Sequence, residues 1–250
     1  MTTLIELTDI IVEPTRLRVA RLTLAAGMTV VLGDNGAGKS TLLDVVGGVL
    51  RPTQGAVSLL DGSGQTTAMS ALSPQARAQR IASLGQRPLA APGLTVEARI
   101  AQGLMPRRGA LALGDGVRLR ARSCAETLGI APLLDRPLAT LSGGELQRAH
   151  VGRALVDDAA EVVVLDEPFS SLDADASDLL AGALVARAAR HHIVVVSVHD
   201  LDVAIALGGR ALWIDGGAVV DDGPVRDVLE RRGLRVVDDG EHVGVLRRRR

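Results

Sequence analysis

Nine residues constrain this chain more than any others: Gly33-Asp34-Asn35-Gly36-Ala37-Gly38-Lys39-Ser40-Thr41. They fit the phosphate-binding pattern G-x-x-x-x-G-K-[ST] at each fixed position. Glycines let the backbone turn tightly and aim successive N–H groups at phosphate oxygens. Lys39 brings a point charge to the outer phosphates, and the Ser40 hydroxyl is a ligand for Mg²⁺. Met28-Thr29-Val30-Val31-Leu32 before the loop is a short apolar strand. After it, Leu42, Val45, Val46, Val49 and Leu50 recur at helical spacing, which sets a phosphate at a helix N-terminus. A glycine-rich turn with no ligand has no need of Lys-Ser just inside the helix. The loop therefore reads as a site for a phosphate-bearing ligand.

The rest of the chain reads as the α/β frame such a loop needs. Val162-Val163-Val164-Leu165 and Ile193 to Val198 are continuous apolar runs of parallel-sheet type. Between them Ala176 to Ala189 forms an amphipathic helix. Leu4-Ile5-Glu6-Leu7 and Leu22-Thr23-Leu24 alternate as half-buried strands, and Ala56 to Leu60 is another. Ala211 to Ile214 and Ala218 to Val220 form a hairpin across Asp215-Gly216-Gly217. From about Arg87 to His150 strand signals vanish and helices are expected over Glu97 to Leu104 and Ala121 to Leu128. The expected fold is α/β, a mainly parallel sheet with an N-terminal antiparallel part and an inserted helical segment at about 87–150. Residues 1–232 form the ligand-binding domain and 233–250 an extension with an arginine-rich tail.

Composition limits the function. The 28 basic and 29 acidic residues leave a formal charge of −1, so there is no global field for nucleic acid or an anionic membrane. Arg107, Arg108, Arg118, Arg120, Arg122 and the terminal Arg247 to Arg250 read as solvated surface or frayed tail. The single cysteine, Cys124, permits no intrachain disulfide and fits a reducing compartment. No signal-peptide stretch opens the chain, and no apolar run approaches the ~18 residues of a spanning helix.

Two further stretches carry chemistry. Asp166-Glu167 ends a buried strand at the sheet edge where ligands bind in open α/β folds. Asp166 is suited to orienting Mg²⁺ or its waters, and Glu167 to acting as general base on a water. Without a phosphate loop in the same chain, such a pair is an ordinary acidic strand end. Leu141-Ser142-Gly143-Gly144-Glu145-Leu146-Gln147 reads as a helix start with Ser142 and Glu145 in a capping box. The box leaves Gly143 and Gly144 unexplained, because glycine costs ~1 kcal/mol relative to alanine inside a helix. Close approach of a phosphate is the preferred reason for them.

Together these stretches resemble the ATP-binding subunit of ABC transporters over essentially the whole chain. Gly33 to Thr41 matches the Walker A loop, and Leu141 to Gln147 the family signature. Glu161 to Pro168 matches Walker B with its catalytic glutamate, and Ser171-Leu172-Asp173 the D-loop. Gln86 sits where the family has its Q-loop glutamine. His199, in Ser197-Val198-His199-Asp200, matches the switch histidine, although alone it is only a polar residue ending an apolar strand. The resemblance implies a P-loop NTPase core that binds ATP and Mg²⁺ and hydrolyses ATP. Lys39 and the loop backbone would hold the phosphates, with Ser40, Gln86 and Asp166 at the metal. Glu167 would activate water and His199 would contact the γ-phosphate. Ser142, Gly143 and Gly144 would act on ATP held by a second copy, two chains enclosing two nucleotides head to tail. Integral membrane permease subunits and a solute-binding protein are the other implied partners, with the chain cytoplasmic on the inner face of the membrane.

Leu72 to Ala82 and Asp200 to Ala204 resemble importers of iron–siderophore, haem and cobalamin type. The family usually stacks an aromatic on adenine near Val12 to Arg16. This chain has Val12-Glu13-Pro14-Thr15-Arg16 there and no tyrosine at all. Arg16 is the candidate replacement, laying its guanidinium plane on the base. A soluble ABC ATPase acting on nucleic acid and a low-turnover nucleotide-binding regulator are the alternatives. The first lacks a basic face or coiled coil in this sequence, and the second is at odds with the presence of both Glu167 and His199.

Overall fold

The strands that carry the fold are those whose side chains are apolar on both faces. In the computed structural model, which describes residues 3–14, 17–61, 63–85, 93–108, 114–238 and 243–247, they lie together in one half of a ten-stranded sheet. In chain order the elements begin with β1 (Leu4–Val12), β2 (Leu17–Ala25), β3 (Gly27–Leu32), α1 (Lys39–Val46), β4 (Gln54–Leu60) and β5 (Thr66–Ala68). They continue with α2 (Pro74–Arg80), β6 (Ile81–Leu84), α3 (Val96–Ala101), α4 (Met105–Arg108), α5 (Asp115–Thr127) and α6 (Gly143–Leu155). Then come β7 (Val162–Asp166), α7 (Ala174–Ala189), β8 (Ile193–Ser197), α8 (Leu201–Leu207), β9 (Arg210–Asp215) and β10 (Ala218–Pro224). The last are α9 (Val225–Arg231), β11 (Leu234–Asp238) and β12 (Val243–Arg247).

The sheet order is β5-β4-β1-β2-β10-β9-β3-β8-β7-β6. Strands β9, β3, β8, β7 and β6 run parallel, which is what helical crossovers require. Strands β1, β2, β4 and β5 form the antiparallel arm. It joins the parallel block through the β9–β10 hairpin, by one parallel pairing of Arg18 with Ala218. The expected α/β class with a parallel core and an N-terminal antiparallel part is what the structure has.

Alternation along the parallel strands divides the core in two. Val31, Val162, Val164, Ile193 and Val195 pack with α1 and the antiparallel arm. Val30, Leu32, Val163, Leu165, Val194 and Val196 face the other way, onto the helices. There Ile100, Leu104, Ala121, Leu128 and Ala149 continue the same apolar cluster, so the helical segment shares its core with the sheet. A slip of one residue in any central strand would exchange these two sets, so the register is firmly specified.

The structure corrects one reading of the sequence and adds detail to two others. Helix α6 extends to Leu155, past the boundary near residue 150. Arg107 is a structural tie, whereas solvated surface was expected. Its Nε donates to Asp157 at 2.6 Å and its guanidinium to the Ala159 carbonyl at 2.7 Å and to that of Gln79. The extension after residue 232 forms the β11–β12 hairpin, packed on α8 and α9, with the Val245 N–H on Asp202 Oδ1 at 2.8 Å. Residues 248–250 of the tail lie outside the described residues.

His150, buried in α6, gives this core a pH dependence. Its Nδ1 accepts from Arg99 Nε at 2.8 Å, and burial, then Arg99 and Arg153, push its pKa down to about 4. A proton at Nδ1 would displace the Arg99 donor. Unfolded histidine titrates near 6.5, so the unfolded chain takes up the proton first and stability falls as pH drops below about 6.5. Between pH 7 and pH 5 this costs up to about 2 kcal/mol. Urea denaturation at both values should show the loss in the wild type and a correspondingly smaller one in His150→Gln.

Candidate active site

The carboxyl ends of β3, β8 and β7 lie side by side, and each releases chemistry-bearing residues within two positions of its last strand residue. After β3 the chain enters the loop Gly33 to Gly38. Gly33, Gly36 and Gly38 have φ of 141°, 78° and 111°, where a side chain is strained. At Gly33 a Cβ would also lie 2.2 Å from the Ile214 carbonyl oxygen. The Gly217 N–H donates to the Ala37 carbonyl at 2.9 Å, tying the loop to the β9–β10 turn.

Lys39 opens α1 and is 5% exposed. Its Nζ donates to the carbonyls of Gly33 at 2.8 Å and Asp34 at 3.0 Å. Burial lowers its pKa, and the charges of Glu167, Asp166 and Asp34 oppose that shift. The ammonium is thus held inside the loop by neutral acceptors.

From β7, Asp166 is buried and Glu167 turns out of the strand at φ 49°, an uncommon angle for a residue with a side chain. From the end of β8 comes His199, whose Nε2 lies 2.5 Å from Glu167 Oε1. Asn35, Gly36, Gly38, Lys39, Ser40, Thr41, Glu167 and His199 line one cleft of about 630 Å³. Asp44 of α1 sits behind it, its carboxyl raised above the usual range by burial and by Asp166. The structure therefore brings the loop, Glu167 and His199 together. Gln86 and Arg16 lie outside the described residues.

Ser142, Gly143 and Gly144 line a separate cleft with Glu145, Arg148, Ser171, Leu172 and Asp173. Ser142 caps α6 in a complete capping box. Its N–H donates to Glu145 Oε2 at 2.7 Å, its hydroxyl accepts from the Glu145 N–H at 3.4 Å, and these bonds lower the Glu145 pKa. Asp173 caps α7 on the same side of the cleft.

The profile described as ABC transporter matches residues 17–170, more than half of the chain. The chain belongs to the ABC transporter family. As a member it is an ATP-binding, ATP-hydrolysing subunit. It is 38% identical over 222 residues to the hemin import ATP-binding protein HmuV of Bradyrhizobium diazoefficiens, covering 86% of this chain and 79% of that one. It is 36% identical over 235 residues to the molybdenum import ATP-binding protein ModC of Mycobacterium tuberculosis, covering 90% of this chain and 62% of that longer protein. Its fold resembles the dimeric structure of MJ0796, a bacterial ABC transporter cassette, with TM-score 0.77 and 25% identity over 89% of this chain and 99% of that one. A post-hydrolysis MJ0796 dimer bound to ADP and Pi has TM-score 0.78 at 24% identity, covering the same shares.

Within this ABC cassette the geometry adds a second reason for one signature glycine. A Cβ on Gly144 would lie 2.7 Å from the Ser171 carbonyl oxygen, so packing within one chain already requires glycine there. A Cβ on Gly143 would meet only the Ser171 side chain, at an ordinary 3.7 Å or more. Gly143 has no such packing reason within the chain. Two contacts at the site escaped the sequence reading. Gln147 Nε2, on the signature helix, donates to the Glu167 carbonyl at 3.3 Å, and Ser197 bonds to both Asp166 and Glu167. Gln147 stands in the signature motif, but nothing in the sequence says that α6 reaches β7.

Gly144→Ala should lower stability by about 1–3 kcal/mol, because the Ser171 backbone has to move. Gly143→Ala should leave it unchanged or raise it by up to ~1 kcal/mol. Urea denaturation of the two variants checks this, and equal losses would contradict the distinction.

Proposed function

We propose that this cassette hydrolyses ATP in the cleft between the Gly33–Thr41 loop and the Glu167–His199 pair, and thereby drives import of a metal chelate or similar small solute through separate membrane subunits. The observation that carries the reading is the convergence of Glu167 and His199, 2.5 Å apart, on the cleft that Lys39 and Ser40 line.

The residues present fit both ATP and Mg²⁺. The loop runs into the N-terminus of α1, where a phosphate is favoured, and no atom outside the loop stands within 4 Å of the space a Cβ on Gly36 would take. The Ser40 hydroxyl and the Asp166 carboxylate are hard oxygen donors of the kind Mg²⁺ prefers, with Gln86 proposed as a third. Mg²⁺, when bound, supplies the positive charge that offsets the phosphate oxygens. Lys39 exchanges its two carbonyl acceptors for phosphate oxygens, a gain because a charged acceptor bonds it more strongly. Glu167 accepts the proton of the attacking water, and His199 holds the Glu167 carboxylate and the γ-phosphate.

Ser142, Gly143 and Gly144 lie in another cleft of the same chain, which supports a head-to-tail homodimer in which they face the partner's nucleotide. The dimeric structure of MJ0796 supports the pairing of two copies. Among the described residues no helix is long and apolar enough to cross a membrane, so the permease function is assigned to other polypeptides. A solute-binding protein is the further partner an importer calls for, and the inner membrane face is the proposed location. The hemin and molybdenum relatives differ by only 38% against 36% identity, so cargo choice is assigned to the membrane partners.

Glu167→Gln should cut turnover by at least about 100-fold while nucleotide binding persists. Turnover of the purified chain beside the variant checks this, and equal rates would contradict the role of Glu167. Detergent extraction of membranes should bring down, with the chain, a polypeptide carrying apolar segments of about 20 residues.

A further inference from the structure

We propose that Ser197 is a positioning residue for hydrolysis, holding the Asp166 carboxylate and the Glu167 backbone with a single hydroxyl. The proposal rests on the reading of Asp166 and Glu167 given above.

Ser197 ends β8, whose other residues are Ile193, Val194, Val195 and Val196. It is 0% exposed, and it faces the same side of the sheet as α1 by the alternation that buries Ile193 and Val195 there. A buried hydroxyl without partners is destabilising. Ser197 avoids that cost by bonding two consecutive residues of the neighbouring strand. Parallel pairing sets it opposite Asp166, and it donates to Asp166 Oδ1 at 2.5 Å while accepting from the Glu167 N–H at 2.8 Å. It is also paired with Val31 of β3, one residue before the strand ends, and so stands between the phosphate loop and the carboxylates.

The two bonds have different effects. Fixing one Asp166 oxygen fixes the plane of the carboxylate, and so the direction of the other oxygen. Holding the Glu167 N–H secures the residue at φ 49°, a conformation that is unfavourable for a residue with a Cβ and needs external support. Gln147 holds the carbonyl end of the same residue. Glu167 is therefore gripped at both backbone polar groups, and its carboxylate meets His199. A valine at 197 would continue the apolar run of β8, but would leave the Asp166 oxygen without its donor and the Glu167 N–H without its acceptor.

Ser197→Thr and Ser197→Val test this as a matched pair, since they add the same bulk and differ only in keeping or losing the hydroxyl. Two measurements are made. The first is Mn²⁺ binding, by electron paramagnetic resonance with a non-hydrolysable ATP analogue present. Loss of a hydrogen bond to a metal-holding carboxylate typically costs 10–100-fold, so the valine variant should bind Mn²⁺ at least about tenfold more weakly than the threonine variant. The second is hydrogen exchange of the Glu167 amide in the nucleotide-free chain, which should be about tenfold faster with valine than with threonine. Asp166→Asn is the control. Wild-type Mn²⁺ affinity in that variant would overturn the metal role of Asp166, and the amide exchange then decides the Ser197 clamp by itself. Equal amide exchange in the threonine and valine variants would overturn the clamp whatever Asp166 does. Equal Mn²⁺ binding in that pair, with Asp166→Asn impaired, would overturn the claim that Ser197 orients the carboxylate.

Discussion

The parallel pairing of β3, β8 and β7 is the constraint on which the site depends. The partners Val31 with Ser197 and Asp166 with Ser197 put three strand ends at one level. Each strand is apolar on both faces, so a slip in register would break two cores at once. The chemistry is thereby placed without any flexible arm. Gly33 follows β3, Glu167 follows β7, and His199 stands two residues past β8. Burial that stabilises the sheet also fixes where the glycine loop, Glu167 and His199 converge.

Before nucleotide arrives, the site is held by its own backbone. Lys39 rests on two carbonyls of the loop it belongs to, with the charges of Asp166 and Glu167 close enough to offset part of its burial. Glu167 is kept in a left-handed conformation between Ser197 and Gln147. Groups held in place in this way need little reorganisation when charge develops, which is where preorganised sites gain most. The chain has no tyrosine, and its only aromatics are one phenylalanine and one tryptophan. Phosphate and metal contacts therefore carry more of the nucleotide affinity than adenine stacking does in this reading.

Much of this was legible in the sequence, for physical reasons. Val162 to Leu165 and Ile193 to Val198 are apolar throughout, the mark of strands covered on both sides. The glycine spacing of the loop and the Ser142–Glu145 capping box are local patterns, and local patterns survive translation into structure. What stayed hidden depends on contacts distant in sequence. Ser197 is an unremarked serine until the pairing with Asp166 is known. Gly144 owes its identity to the Ser171 carbonyl across the cleft. Arg107 looked like surface because its partners, Asp157 and Ala159, come fifty residues later. The edge strand β6 was passed over because four residues, Ile81–Leu84, give too little alternation to announce themselves.

The two clefts support the proposal that one copy is an incomplete machine: Lys39 and Glu167 line one, Ser142 and Gly143 the other. In that proposal a complete site joins the phosphate loop of one copy to the signature turn of a second. Mixing a Lys39→Ala chain with a Gly143→Arg chain tests this most directly, under conditions where the wild-type chain hydrolyses ATP. Each variant alone lacks one half of every site, whereas a mixed pair regains one intact site of two. Turnover in the mixture should rise to about a quarter of the wild-type rate, since half of the randomly formed two-fold pairs are mixed. A mixture no more active than the two variants measured separately would contradict a site shared between copies.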